Sequence, residues 1–296
     1  MTAEIHKPTG DYLMTREEYD RVHYLNCSRL KIALRSTRHL SFEQVTESDT
    51  HFTNKAFAFG SAFHTFCLEP HLFANECAVC PSVDRRTKIG KETWAQFTEA
   101  AGEKIVIQEK DVERMADMRD TLVNHPVAAD LLFGGNVEYE KTLISNPNDI
   151  VEVFGHSSLT PDALKGRVDV LRKHSNIMVD LKTCQDASPE AVRRTVLSFG
   201  YHVQAAFYSR LYKDVYHENP AFFFAFIEKE PPHGVLVVSL DDDWMDYGAA
   251  ECQRGIQAVK EWTTFGPNHY NEGASLVLSA PSFIKNRIGE THASNH

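Results

Sequence analysis

Two short runs of alternating apolar and polar positions lie close together, Gly166–Arg172 (GRVDVLR) and Ile177–Thr183 (IMVDLKT), around His174-Ser175-Asn176. β-Branched runs on either side of a polar turn predict the two arms of a hairpin. Each arm breaks its apolar pattern with one aspartate, Asp169 and Asp180. A turn centred between His174 and Ser175 sets them opposite each other, with Cβ atoms about 4.5–5.5 Å apart. Upstream the period changes to that of helices. TREEYDRV predicts a first helix with Thr15 as N-cap. Leu30, Ile32, Ala33 and Leu34 predict a second, started by Asn26 or Ser28. Residues 56–72, AFAFGSAFHTFCLEPHL, predict an apolar helix opened by Gly60 and Ser61, with His64 as its central polar residue. Residues 80–98 read as a loop, marked by Pro81 and Gly90, that leads into a helix. The short apolar run KIVIQ follows. Met115, Met118, Leu122 and Val123 then keep helical spacing until Pro126 breaks it. Gly134-Gly135 precedes NVEYEKTLI, an alternating strand with Glu138 and Glu140 on one face. Residues 145–163 read as a variable loop carrying another strand.

Downstream of the hairpin, Ser188 as N-cap and Pro189 at the first helical position start a helix that Gly200 ends. Tyr201, Gln204, Tyr208 and Leu211 then fall on one face of the next helix. AFFFAFIEKEPPHGVLVVSL predicts two strands joined at Pro231-Pro232-His233-Gly234, and an amphipathic helix capped by aspartates follows. After Gly266 the pattern fades, and the polar stretch Pro281–His296 is expected to be loosely ordered. These elements assemble into one α/β domain, residues 1–270, with a mixed central sheet flanked by helices. It divides into a helical N-terminal part, about 1–130, and a catalytic core, about 131–265; residues 271–296 form a tail.

The 296 residues are 42% hydrophobic and 24% charged, the composition of a globular chain. The longest apolar runs fall short of the roughly 18 residues a membrane helix needs, and MTAEIHKPTGDY has no signal-peptide core. Six cysteines are scattered, and the C-x-x-C of Cys77 and Cys80 has no partner pair. Buried thiols in a reducing cytoplasm are therefore expected, not a zinc or iron–sulfur site. The net charge of −10 argues against a protein that coats nucleic acid without specificity. It leaves room for a local basic surface. Arg85, Arg86, Lys88 and Lys91 place four positive charges within seven residues, with Trp94 and Phe97 on the next turn. This loop reads either as a grip on DNA phosphates or as an exposed basic loop. Lys31, Arg35 and Arg38 form a smaller basic face open to the same two readings.

Carboxylates as close as Asp169 and Asp180 repel unless a cation lies between them. Hard oxygen ligands suit Mg²⁺ or Mn²⁺. Lys182, two residues after Asp180, shares its strand face. A metal site beside an ammonium is equipment for hydrolysing a phosphodiester with metal-activated water. Arg167 or Arg172 offers a rival compensation without a metal. By itself, His64 on an apolar helix reads as a satisfied core histidine, and Tyr201 and Gln204 as helix packing.

GRVDVL, VDLKT, DASPEAV and GYHVQAAFY, in that order over about 45 residues, resemble the nuclease domain of the exonuclease VIII (RecE-like) family of the PD-(D/E)XK nuclease superfamily. The likeness extends over most of residues 25–240. Ser28, Leu30 and Lys31 match an S-x-LK-like segment, with Arg29 in place of the usual spacer. G-x-x-x-H followed by L-E-P surrounds His64, and the basic loop reads RRTK-x-GK. The resemblance implies a restriction-endonuclease-like core. It makes His64, Asp169, Asp180 and the Leu181 carbonyl metal ligands. Lys182 would orient the attacking hydroxide, and Glu138, or Glu140 as the substitute, would assist a second metal or the water. Tyr201 and Gln204 become a Y-x-x-Q element lining the site, with Gln204 on a phosphate oxygen or bracing Lys182. The resemblance further implies Mg²⁺ as cofactor, with Mn²⁺ as a substitute. It implies 5′→3′ exonuclease action on double-stranded DNA ends in phage-type recombination, a ring-like trimer or tetramer, and a single-strand annealing partner. An endonucleolytic or structure-specific nuclease on the same fold remains open, as does a non-catalytic recombination scaffold.

Overall fold

The computed structural model describes residues 5–46, 55–148, 160–270, 275–281 and 284. Its strands are β1 (Gly10–Tyr12), β2 (Tyr24–Leu25), β3 (Cys77–Cys80), β4 (Ile105–Gln108), β5 (Glu138–Ser145), β6 (Thr160–Arg172), β7 (Ile177–Cys184), β8 (Ala221–Glu228) and β9 (Val235–Val238). Its helices are α1 (Arg16–Asp20), α2 (Cys27–Arg35), α3 (Thr37–Thr46), α4 (Lys55–Leu68), α5 (Phe73–Glu76), α6 (Lys88–Ala101), α7 (Glu109–Asn124), α8 (Pro126–Phe133), α9 (Pro189–Ser198), α10 (Tyr201–Tyr216) and α11 (Asp242–Phe265). The strand expected within residues 145–163 falls mostly on 149–159, outside the described residues, as does 285–296 of the tail.

The hairpin closes in the predicted register. Val170 lies opposite Val179, Leu171 opposite Met178 and Arg172 opposite Ile177. The turn is a 3₁₀ turn over Lys173–Ser175, with Asn176 left-handed at φ 53°. Asparagine tolerates that region better than most residues, and here its side chain also accepts from the Tyr212 hydroxyl at 2.8 Å. The main sheet runs β1-β5-β6-β7-β8-β9, with β2 beside β6. β7 and β8 are parallel, joined through α9 and α10; β5 and β7 each run antiparallel to β6 between them, so the sheet is mixed.

Both sheet faces are covered. One buries Leu171, Met178 and Phe224 against Phe207 and Leu211 of α10 and Trp262 of α11. The other buries Val170, Val179 and Leu181 against Phe63 of α4, Met115 and Met118 of α7, and Leu132 of α8. Burying each such side chain stabilises by about 1.5–3 kcal/mol, more than the roughly 1 kcal/mol of a helix cap. Packing therefore holds the helices and the caps set where they begin. Thr15, Asn26, Ser188 and Asp241 each cap a helix with the side chain. Pro126 both ends α7 and opens α8 at its first position.

α10 comes unusually close to β6 at Gly166. A Cβ there would lie 2.7 Å from Leu211 Cδ1 and 2.8 Å from Tyr208 Cε1. Gly166→Ala is expected to push α10 off the sheet and destabilise by about 1–3 kcal/mol. A lowered urea midpoint with unchanged slope would show it.

β3 and β4 form a separate parallel pair that the sequence pattern did not reveal. Cys77 and Cys80 stand three residues apart on β3, hence on opposite faces. All six cysteines are free thiols. No described helix is long and apolar enough to cross a membrane.

Candidate active site

Side-chain alternation fails at one place in two neighbouring strands. On β6, Leu164 and Val168 face the α10 side, which should put Val170 there too; Val170 instead joins the α4–α8 side and Leu171 the α10 side. On β5, Leu143 faces α10, whereas Val137 and Tyr139 pack on the opposite face. The pairs Tyr139–Val170 and Lys141–Val168 flank the fault. Between them stand Glu140 and Asp169, and Glu140 has φ 50°. A left-handed glutamate costs on the order of 1–3 kcal/mol, strain that tends to sit at functional positions. The rotation brings Glu138 onto Lys141 at 2.7 Å, a contact between residues that a regular strand would put on opposite faces. Glu138, 42% exposed, is thereby turned away, and Glu140, 19% exposed, stands beside Asp169. Of the two glutamates, the structure brings Glu140 to the site.

The hairpin arms part just where the aspartates stand. Beyond Val170–Val179, the Leu181 N–H donates to the Asp169 carboxylate (Oδ2, 2.8 Å), while β7 stays paired with β8 as far as Cys184. α4 approaches from outside and sets His64 Nδ1 3.4 Å from Asp169 Oδ2. One donor atom from each of His64, Glu140 and Asp169 lies within 4.8 Å of the others.

Asp180 forms the second half of the site. Its Oδ1 accepts from Gln204 Nε2 at 2.5 Å, and its Oδ2 meets Lys182 Nζ at 2.5 Å. The ammonium is thus the charged partner of this buried Oδ2. Tyr201 lies with its ring 5.1 Å from Lys182 Nζ. Tyr208 donates to the Arg167 carbonyl at 3.0 Å and ties α10 to β6. The expected ligands are thus divided into His64 with Asp169, and Asp180 with Lys182 and Gln204; Leu181 engages Asp169 through its N–H.

The arginines do not neutralise the two aspartates. Arg167 pairs with Glu140 at 2.7 Å and lies 4.0 Å from Glu69, and Arg172 pairs with Asp130 at 3.0 Å. Burial, and then the neighbouring Asp180, push the Asp169 carboxyl above its usual range, against the pull of His64 and Lys182. Burial and Asp169 push Glu140 up to about 8, despite Arg167. Burial opposes the charge on Lys182, but Asp180 and Asp169 outweigh it and hold the ammonium firmly protonated. Crowded, partly desolvated carboxylates with an imidazole alongside are what a divalent cation would relieve. Two hard oxygens and one nitrogen fit Mg²⁺ or Mn²⁺.

The raised Glu140 pKa has a testable consequence. From about pH 4.5 to about 8 the folded carboxyl keeps a proton that the unfolded chain releases. Stability of the metal-free protein therefore falls as pH rises through that window. Melting in EDTA should show the decline, Glu140→Gln should flatten it, and Mg²⁺ should raise Tm more at pH 8 than at pH 5.5.

The basic loop meets much of its own charge. Arg85, Arg86, Lys88 and Lys91 are exposed before and within the first turn of α6. Arg85 stacks over Trp94 at 3.7 Å, Arg86 pairs with Asp84 at 3.1 Å, and Lys88 lies 3.9 Å from Glu92. These charges are largely met within their own loop and helix. Lys31 lies closer to the candidate site, its Nζ 6.0 Å from the Tyr201 ring and donating to the Phe199 carbonyl at 3.2 Å. Arg35 bonds Tyr270 instead.

A family described as "PDDEXK-like domain of unknown function (DUF3799)" matches residues 26–266. The crystal structure of a protein from Eubacterium rectale, described as "Putative exonuclease", superposes with a TM-score of 0.58 at 13% identity, covering 93% of this chain and 98% of that one. At that identity the likeness is one of fold. The crystal structure of SSO0001 aligns over 78% of this chain and 84% of that one, at 13% identity and a TM-score of 0.27, too slight to bear on the fold. No curated protein matches the sequence.

Proposed function

The chain belongs to the family of PDDEXK-like domains, and on that premise we propose that it is a metal-dependent deoxyribonuclease, a 5′→3′ exonuclease on double-stranded DNA ends. The observation that carries the reading is the convergence of His64, Glu140 and Asp169 beside the Asp180–Lys182 pair. His64, Glu140 and Asp169 would hold a divalent ion, with Asp180 and the Leu181 carbonyl completing its shell. Glu140 takes the role first considered for Glu138. A bound Mg²⁺, or Mn²⁺ in its place, supplies Lewis acidity and a water of lowered pKa.

The chain's own groups do the rest. Lys182 Nζ, kept charged by Asp180 and Asp169, orients the attacking oxygen and answers negative charge growing on the phosphate. Gln204 fixes the Asp180 carboxylate and through it the lysine. Tyr201 sets its ring beside the ammonium. Arg167 holds Glu140 from behind. Arg85, Arg86, Lys88 and Lys91 are the proposed outer grip on the duplex, although each of the first three already has a partner. The cleavage polarity, the recombination setting, a ring-like trimer or tetramer and a single-strand annealing partner rest on the exonuclease VIII resemblance.

End-labelled linear duplex and covalently closed circular DNA, each with Mg²⁺ or EDTA, test the reading. Mg²⁺-dependent loss of linear DNA alone supports the exonuclease. Equal loss of circular DNA would replace it with an endonuclease, and intact DNA under every condition would leave a scaffold.

A further inference from the structure

We infer that Phe199 is a nucleobase platform, on which the unpaired terminal base of the scissile strand stacks; the inference rests on the nuclease reading above. A column of aromatic rings runs from the core to the surface beside Lys182. Phe224 and Phe226 are its buried end. Tyr201 lies on them at 5.4 and 5.9 Å. Phe199 stacks on Tyr201 at 5.9 Å with 30° between the planes. All three spacings are within the range of aromatic pairs, two of them stacked and the Phe226 pair tilted at 45°. The outermost plate, Phe199, is 62% exposed.

An exposed phenylalanine is ordinary on its own. This one ends a stack, is held in place, and rests on a tyrosine that has two cations beside it. Its N–H donates to the Thr195 carbonyl at 3.0 Å and its carbonyl accepts from Lys31 at 3.2 Å, so the backbone carrying the ring is fixed on both sides. The next residue, Gly200, is left-handed at φ 63°, and a Cβ there would meet Lys31 Cδ at 3.0 Å. Lys31 Nζ lies 6.0 Å from the Tyr201 ring and Lys182 Nζ 5.1 Å from it. An exposed ring stacked on a tyrosine with two ammonium groups nearby suits a nucleotide, which offers a π-face and a phosphate side by side. A base inside a duplex has both faces covered by its neighbours. The occupant is therefore a base released from pairing at the strand end, its phosphate running toward Lys182. Stacking also suits a chain of net charge −10, since it adds affinity that long-range repulsion does not cancel.

The test uses the full chain and a short single-stranded oligonucleotide with 2-aminopurine as its terminal 5′ base, in Ca²⁺ so that binding is read without turnover. Wild type is expected to quench the fluorophore. Phe199→Ala should lose the quench and bind roughly tenfold more weakly, with the same deficit at low and high salt, whereas Phe199→Trp should restore both. Lys31→Ala should instead lessen the salt dependence. Phe265→Ala, which removes an even more exposed ring at the end of α11, should match wild type. An unquenched wild type, a Phe199→Ala protein that quenches like wild type, or an equal loss in Phe265→Ala would overturn the platform. Cleavage is scored separately with Mg²⁺. Cleavage without a Phe199-dependent quench defeats the platform alone; a Phe199-dependent quench without cleavage defeats the nuclease reading alone.

Discussion

Asp169→Asn is expected to reduce Mg²⁺-dependent DNA cleavage by at least about a thousandfold, the scale of a lost metal contribution of several kcal/mol. Asp169 links the neighbouring parts of the site. It accepts the Leu181 N–H at the parting of β6 and β7, lies against His64, and shares the donor cluster with Glu140. Asparagine keeps an acceptor for Leu181 and nearly the same volume, so the local backbone should survive. What it removes is the charge. In metal-free protein that charge is a liability, since burial and Asp180 both push the carboxyl toward its neutral form. Asp169→Asn should therefore melt no lower than wild type in EDTA, yet lose the rise in Tm that Mg²⁺ gives wild type. Cleavage within tenfold of wild type, or an undiminished Mg²⁺ shift, would show that the ion is held elsewhere.

The sequence exposed those parts of this arrangement that are local and periodic. A polar turn between two β-branched runs was enough to set the hairpin register and hence to put Asp169 and Asp180 at its open end. Helical spacing alone put Tyr201, Gln204, Tyr208 and Leu211 on one face of α10, and all four meet the sheet or the site. Position 140 was different. A period of two gives Glu138 and Glu140 the same direction, and only the left-handed backbone at Glu140 separates them. No residue type announces that rotation, because glutamate is not a residue that favours positive φ.

The division of the aspartates was hidden for another reason. Asp180 is engaged by Gln204, 24 residues away, and Asp169 by His64 from a helix before the core. Such pairings depend on how α4 and α10 dock on opposite faces of the sheet, which a one-dimensional pattern does not carry. The same holds for Lys31 and Phe199, whose contact spans 168 residues. The basic loop shows the reverse case. Its charge density was plain, but Asp84, Trp94 and Glu92, the residues that meet it, are equally close in sequence.

Lys182→Met separates a catalytic ammonium from a structural one. Methionine preserves most of the aliphatic stem beneath Tyr201 and removes the charge. Asp180 would then keep Gln204 on one oxygen, with the other buried and uncompensated. Breaking a buried ion pair from one side costs about 3–5 kcal/mol, so a marked fall in Tm is expected in EDTA. Mg²⁺ should restore part of it by supplying the missing positive charge. Cleavage should nonetheless stay about 10²–10³-fold below wild type in saturating Mg²⁺, the usual loss when a group that meets transition-state charge is removed. Lys182→Arg makes the distinction sharper. It retains a cation for Asp180 and should recover much of the stability, but its planar fork cannot place a single donor where the ammonium stood. A refolded, metal-binding Lys182→Arg protein that still cleaves slowly locates the defect in the reaction. Full cleavage by Lys182→Met in Mg²⁺ would leave the lysine no chemical part and reduce it to the counter-ion of Asp180.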